Sequence, residues 1–197
     1  GSLALPGFSR FRVQGDGARD WLSSLITGAV PRPGRIGLAY FADEKGRIVT
    51  EMSVMALSDD FFFLITAAVA QQHDFEWLSN HLQKNSEISI QDVTDGFSCQ
   101  ILTGPKSRDI LAEVTGADLT QPWLAHQSAQ IGDRWCQLVR VSFAGELGWE
   151  IHTKVDDTVP VFDAVWQAGQ RHGLKPFGMF ALDSLRLEKG YRAWKAE

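Results

Sequence analysis

Residues 8–22 read FSRFRVQGDGARDWL, and residues 97–111 read FSCQILTGPKSRDIL. The two stretches keep a constant offset of 89 residues: Phe97 against Phe8, Gly104 against Gly15, Asp109 against Asp20. Each reads as a strand, a Gly turn and then a helix with one apolar face. In the first helix that face carries Trp21, Leu22 and Leu25, and in the second Ile110, Leu111 and Val114. A strand–turn–helix unit repeated at almost half the chain length predicts two similar lobes, residues 1–95 and 96–197.

Working outward, Gly37 to Phe41 and Ile48 to Leu57 read as strands around the polar turn Glu44-Lys45-Gly46-Arg47. Phe61 to Thr66 is apolar and rich in β-formers, as a central strand is. Ala67 to Leu82 reads as a helix and Ile88 to Val93 as a strand. In the second half, Gln137 to Phe143 and Trp149 to His152 read as strands. Val159 to Gln170 is helical, with Val161, Phe162, Val165 and Trp166 on one face. Phe180 to Glu188 is a last helix, closed by Gly190. Hairpins mixed with crossover helices argue for an α+β fold of helix-covered sheets rather than a doubly wound parallel sheet.

Composition narrows the function. With 197 residues, 44% of them hydrophobic, the chain can bury a core without staples. The net charge of −5 and the lack of a Lys/Arg run argue against a nucleic-acid partner. The longest apolar stretch, Phe61 to Ala70, is far short of the roughly 20 residues a bilayer span needs, so no membrane partner is expected. Cys99 and Cys136 lack CxxC spacing and a nearby His cluster, so no metal site is expected. The start Gly1-Ser2-Leu3 and the end Trp194-Lys195-Ala196-Glu197 read as those of a piece cut from a longer protein.

Gly104-Pro105-Lys106-Ser107 tempts a phosphate-loop reading, but the first Gly of that pattern is absent, and a turn at a helix start accounts for it. No G-x-S-x-G elbow and no H-x-x-x-H spacing occurs. Two carboxylates stand out on otherwise apolar strands: Glu51, between Thr50 and Met52, and Glu150, between Trp149 and Ile151. On an alternating strand each faces either water or a partner. Facing inward, it needs a cation or a set of N–H donors, because an unpaired buried carboxylate is very costly.

Three phrases occur in order: Leu102-Thr103-Gly104-Pro105-Lys106-Ser107-Arg108, Gly145-Glu146-Leu147-Gly148-Trp149-Glu150, and Leu185-Arg186-Leu187-Glu188-Lys189-Gly190-Tyr191-Arg192. With them the chain, from about Phe8 onward, resembles the glycine-cleavage T-protein (aminomethyltransferase) folate-binding family, above all the folate domain of its dimethylglycine and sarcosine dehydrogenase branch. The resemblance implies tetrahydrofolate in a central cavity, with Glu51 near the reacting nitrogens as the catalytic group. It implies cofactor-binding roles for Glu150, Ser53, Phe143 and Arg186, with Glu150 accepting the amino and ring N–H groups of the pterin. The implied reaction captures a one-carbon unit from an N-methyl amine as 5,10-methylenetetrahydrofolate, after oxidation by an FAD-bearing domain of the parent chain. Relatives of this kind are cytoplasmic in bacteria and mitochondrial in eukaryotes.

The chain also departs from the family pattern. Glu51 stands where Asp is usual, Phe143 where oxidase relatives have Tyr, Ser53 where some have Thr, and Leu182 where free-standing T-proteins have Arg. No G-x-G-x-x-G follows a strand, and the sequence stops short of the family's C-terminal barrel. Alternative readings are a non-catalytic folate-binding relative, a structural lobe of a flavoprotein, a folate-dependent demethylase of a sulfur compound, and a free-standing aminomethyltransferase.

Overall fold

The computed structural model describes residues 1–5, 7–83 and 86–193; the expectation for residues 194–197 lies outside these. Strand β1 (Ser2–Ala4) leads into β2 (Phe8–Gln14), α1 (Ala18–Leu25), β3 (Ile26–Thr27), β4 (Arg35–Ala42), β5 (Ile48–Ala56), β6 (Phe61–Ala67), α2 (Gln71–Asn80) and β7 (Ser89–Asp92). Then come β8 (Phe97–Thr103), α3 (Ser107–Val114), β9 (His126–Ile131), β10 (Arg134–Val139), β11 (Gly148–Lys154), α4 (Thr158–Gln170) and α5 (Met179–Lys189). The chain divides into two compact units, Gly7–Asp95 and Gly1–Pro6 with Gly96–Glu197. The first residues, expected with the first lobe, group with the second because β1 pairs antiparallel with β8, Ser2 opposite Leu102.

The repeat is legible in the coordinates. Strand β8 and helix α3 reproduce β2 and α1 at the same 89-residue offset at every boundary. A second half of the repeat, absent from the sequence comparison, follows at an offset of 87: β11, a short 3-10 turn and α4 match β6, a 3-10 turn and α2. The pairing agrees. The first unit's six-stranded sheet runs β3-β4-β5-β6-β2-β7, and the second unit's five-stranded sheet runs β1-β8-β11-β10-β9. Both sheets are open, and the fold is α+β as expected.

In the first unit, Met52, Val54 and Ala56 of β5 pack with Ala18 and Leu22 of α1 and Leu78 of α2, all buried. In the second, Leu102, Leu138, Trp149 and Ile151 pack against Ile110 and Leu111 of α3 and Val161 and Val165 of α4. Each large apolar side chain so buried contributes about 1.5–3 kcal/mol. A smaller cluster on the opposite face of the second sheet joins Leu3, Ile101, Ala144 and Leu182, which seats α5 there. Strand period does the rest: with Met52 and Ile151 facing helices, their neighbours Glu51 and Glu150 face away from those layers.

Several boundaries differ from expectation. The first residues of the helix expected from Ala67 form a 3-10 turn, Ala68–Ala70, before α2. The strand expected to reach Phe143 ends at Val139: the Arg140 N–H still meets the next carbonyl in the β9 register, Ala125 O (2.8 Å), but the Val141 N–H folds back on Val139 O (2.9 Å), a three-residue turn that breaks the strand. Helix α5 ends as read, on Gly190 at φ 80°, with Gly190 N–H donating to Leu187 O and Tyr191 N–H to Arg186 O, both at 2.9 Å.

Candidate functional site

Glu51 sits in mid-β5, half-buried, directly opposite Tyr40 of β4. The hairpin that sets this register is closed by Asp43, whose carboxylate accepts the Lys45 and Arg47 backbone N–H groups at 2.9 Å each. Burial pushes the Glu51 carboxyl above its ordinary range, while a hydrogen bond from the Tyr40 hydroxyl pulls the other way. The same contact raises Tyr40, first through the charge of Glu51. Ser53 lies two residues on, on the same face, opposite Leu38 on one side and Ile65 on the other. Beneath them, on the helix face, Asp74 of α2 is fully buried and accepts the hydroxyls of Thr50 (3.0 Å) and Thr66 (2.6 Å).

Glu150 sits in β11 between Ile101 of β8 and Val139 of β10. Its Oε2 lies 3.0 Å from His152 Nε2, and the same ring nitrogen lies 3.9 Å from Cys99 Sγ. His152 is 4% exposed, so this contact is made largely out of water. Leu182 is buried in one cluster with Ile101, the residue opposite Glu150, which makes the neighbourhood of Glu150 apolar on that side.

Phe143 and Arg186 meet at the end of α5. The Phe143 ring stacks on Tyr191 (centroids 6.1 Å apart), and the Arg186 guanidinium lies over it at 5.9 Å. Arg186 is 5% exposed and donates to Asp183 Oδ1 (2.7 Å) and Tyr191 O (2.8 Å). These contacts fasten the helix end. Beside them lies an open hollow of about 390 Å³ whose walls include Trp123, Arg140, Lys189 and Tyr191. Glu150 does not line it. Ser107 turns its hydroxyl to the carbonyls of Gly104 (2.7 Å) and Leu147 (3.1 Å), a structural use that fits the turn reading of 104–107.

The structure therefore brings Glu51 and Ser53 together in the first unit, and Phe143 and Arg186 together in the second. Tyr40, Cys99 and His152 were not singled out from the sequence. Counting outward from the Asp43–Arg47 turn pairs Tyr40 with Thr50; the bulge between Phe41 and Ala42 shifts the register by one and brings Tyr40 opposite Glu51. His152, two residues after Glu150 on an alternating strand, shares its face by period alone.

The GCVT N-terminal domain model matches residues 4–197. Human mitochondrial dimethylglycine dehydrogenase is 32% identical over 197 residues, covering 98% of this chain and 23% of its own length. Mouse mitochondrial sarcosine dehydrogenase is 32% identical over 208 residues, covering 96% of this chain and 23% of its own length. The chain thus spans about a quarter of these relatives. Among solved structures, the glycine cleavage system aminomethyltransferase T from Bartonella henselae superposes with a TM-score of 0.81 at 21% identity, over 96% of this chain and 50% of that one. At that identity the likeness speaks for the fold. No helix among the described residues is long and apolar enough to cross a membrane.

Proposed function

Since this chain belongs to the GCVT N-terminal domain family, we propose that it binds tetrahydrofolate and serves the capture of a one-carbon unit from an N-methyl amine of the dimethylglycine or sarcosine type. The product is 5,10-methylenetetrahydrofolate. The observation that carries this reading is that Glu51 and Glu150 each stand on a sheet face turned away from the main helix layer of their unit, half-buried rather than solvated.

The residues suit the ligand. A pterin edge offers adjacent N–H donors, and a carboxylate has about four lone-pair sites. Glu150 uses Oε2 toward His152, which leaves capacity for two such donors. Charge-assisted bonds of this kind contribute about 1.5–3 kcal/mol each. Bound tetrahydrofolate supplies the amine that takes up the one-carbon unit. Burial, which raises the Glu51 carboxyl, supports a role in which Glu51 holds a proton to higher pH than an exposed glutamate does, or offsets positive charge at a reacting nitrogen. Tyr40 steadies it by donating to the carboxylate.

Ser53, on the face of Glu51, offers a hydroxyl to the same ligand. Phe143 and Arg186 shape the cofactor side through the Tyr191 stack. Oxidation of the amine belongs to an FAD-bearing partner domain, and the compartment is that of the parent protein, cytoplasmic or mitochondrial. The test is calorimetric titration of tetrahydrofolate under anaerobic conditions. The parent binds, and Glu150→Ala loses about 2–4 kcal/mol, roughly 30- to 1000-fold in affinity. A folded parent that gives no heat of binding points instead to a structural lobe; equal binding by Glu150→Ala removes Glu150 from the site.

A further inference from the structure

We propose that Cys99, Glu150 and His152 form a binding site for one divalent metal ion of the zinc class. Their donor atoms, Sγ, a carboxylate oxygen and a ring nitrogen, all lie within 4.8 Å of one another. Zinc binds nitrogen and oxygen at about 2.0–2.2 Å and sulfur at about 2.3 Å, so neighbouring ligands of a tetrahedral ion stand about 3.3–3.6 Å apart. The observed 3.0 Å (Oε2 to Nε2) and 3.9 Å (Sγ to Nε2) bracket that spacing. Little movement is needed to seat an ion.

The pattern of contacts favours an ion over a nucleophile relay. In a Cys–His–acid relay the sulfur meets one ring nitrogen and the acid orients the other. Here both partners face Nε2. One proton on that nitrogen cannot serve a thiolate and a carboxylate equally, whereas a cation at the centre serves all three donors.

The strand geometry preorganises the set. Cys99 and His152 are directly opposed across β8 and β11, and Glu150 shares the face of His152 two residues away. Donors on paired strands are held more precisely than donors on loops. His152 is 4% exposed, and the Glu150 side chain is 19% exposed. Three protein ligands with one accessible side match a site that keeps an open coordination position.

The repeat shows that the fold does not demand these residues. Under the 89- and 87-residue offsets, Cys99, Glu150 and His152 correspond to Arg10, Phe63 and Ile65 of the first unit. The pairing is conserved between the units, with Arg10 opposite Ile65 as Cys99 is opposite His152. There the position is filled by packing, with the Arg10 guanidinium 5.4 Å from the Phe63 ring centroid. The second unit puts three metal-ligating side chains where the first puts a cation–aromatic contact.

The proposal stands without the folate reading, although Glu150 is common to both, so metal and pterin compete for it. The test uses chelator-stripped protein and Co²⁺ as the probe. The parent takes up one Co²⁺ per chain, shows a thiolate-to-cobalt charge-transfer band, and loses it to added Zn²⁺. Cys99→Ser loses the band while circular dichroism stays that of the parent, and His152→Gln weakens Co²⁺ binding about tenfold or more. A folded parent without the band, or a Cys99→Ser spectrum equal to the parent's, overturns the proposal. Tetrahydrofolate titration of metal-free parent and His152→Gln keeps the two readings apart. Folate binding with no cobalt band sinks the metal site alone, and a cobalt band with no folate binding sinks the folate reading alone.

Discussion

Asp74 is a fully buried polar anchor in the first unit, and its removal has a calculable cost. The carboxylate is fully buried on α2 and accepts Thr50 Oγ1 of β5 at 3.0 Å and Thr66 Oγ1 of β6 at 2.6 Å, with His73 Nδ1 at 2.9 Å from its other oxygen. Hydrogen bonds to a charged group are worth about 1.5–3 kcal/mol each, so Thr50→Val and Thr66→Val each cost about 2 kcal/mol. Asp74→Ala removes every bond at once and leaves two hydroxyls, each 3% exposed as residues, without their acceptor. Each stranded hydroxyl adds about 1–3 kcal/mol, and with the side chain's lost packing the total is about 4 kcal/mol. Because the three residues act as one network, Asp74→Ala combined with Thr66→Val costs less than the sum of the singles by about 1–2 kcal/mol. Urea unfolding followed by circular dichroism gives the free energies, and amide exchange of β5 and β6 assigns the loss to the first unit. An Asp74→Ala variant within about 1 kcal/mol of the parent, or strictly additive double-variant energies, refutes the network.

Further expectations follow from individual contacts. Burial raises the Glu51 carboxyl, so the native state holds its proton to higher pH than the unfolded chain does. Its contribution to stability is full below the ordinary glutamate range and is lost as pH rises through the raised native value. Glu51→Gln therefore gains on the parent from acid toward neutral pH, and a stability gap that is flat or reversed across that range contradicts the assignment. Gly15 has φ 137°, and an added Cβ would lie 2.2 Å from Glu87 O, so Gly15→Ala costs about 2 kcal/mol or more by thermal unfolding. Gly46→Ala, also at positive φ but with nothing near its Cβ, costs only about 1 kcal/mol. Burial pushes the Cys136 thiol up to about 12, so Ellman's reagent modifies Cys99 in the native protein and reaches Cys136 only on unfolding; equal native rates for both thiols would count against that burial.

The strand–Gly–helix halves of the repeat were legible because Phe, Gly, Arg-Asp and Leu recur in register. The other half was not, since Phe61–Ala67 and Gly148–Lys154 share a structural role with scarcely any shared residues. Strand β9 escaped notice because four of its six residues, His126, Gln127, Ser128 and Gln130, are polar and only Ala129 and Ile131 mark the core face. Strand β1 is three residues long, too short to show a period. For the site, alternation in β5 separates Glu51 and Ser53 from Thr50 and Met52, so the face was readable from the sequence alone. What the sequence could not show was the neighbour across the strand. Tyr40 reaches Glu51 through a bulged hairpin, and Cys99 reaches His152 through a pairing 53 residues apart, so local spacing puts His152 beside Glu150 but carries no trace of Cys99 or Tyr40.

The claim that Glu150 accepts the N–H groups of a pterin is tested most directly by proton NMR of tetrahydrofolate labelled with ¹⁵N in the pterin ring and bound to this protein. The ring N–H and amino protons shift strongly downfield and are protected from solvent exchange in the parent complex, and both signatures vanish in Glu150→Gln. Bound pterin N–H signals at their free-solution positions, or unchanged by Glu150→Gln, would contradict the account.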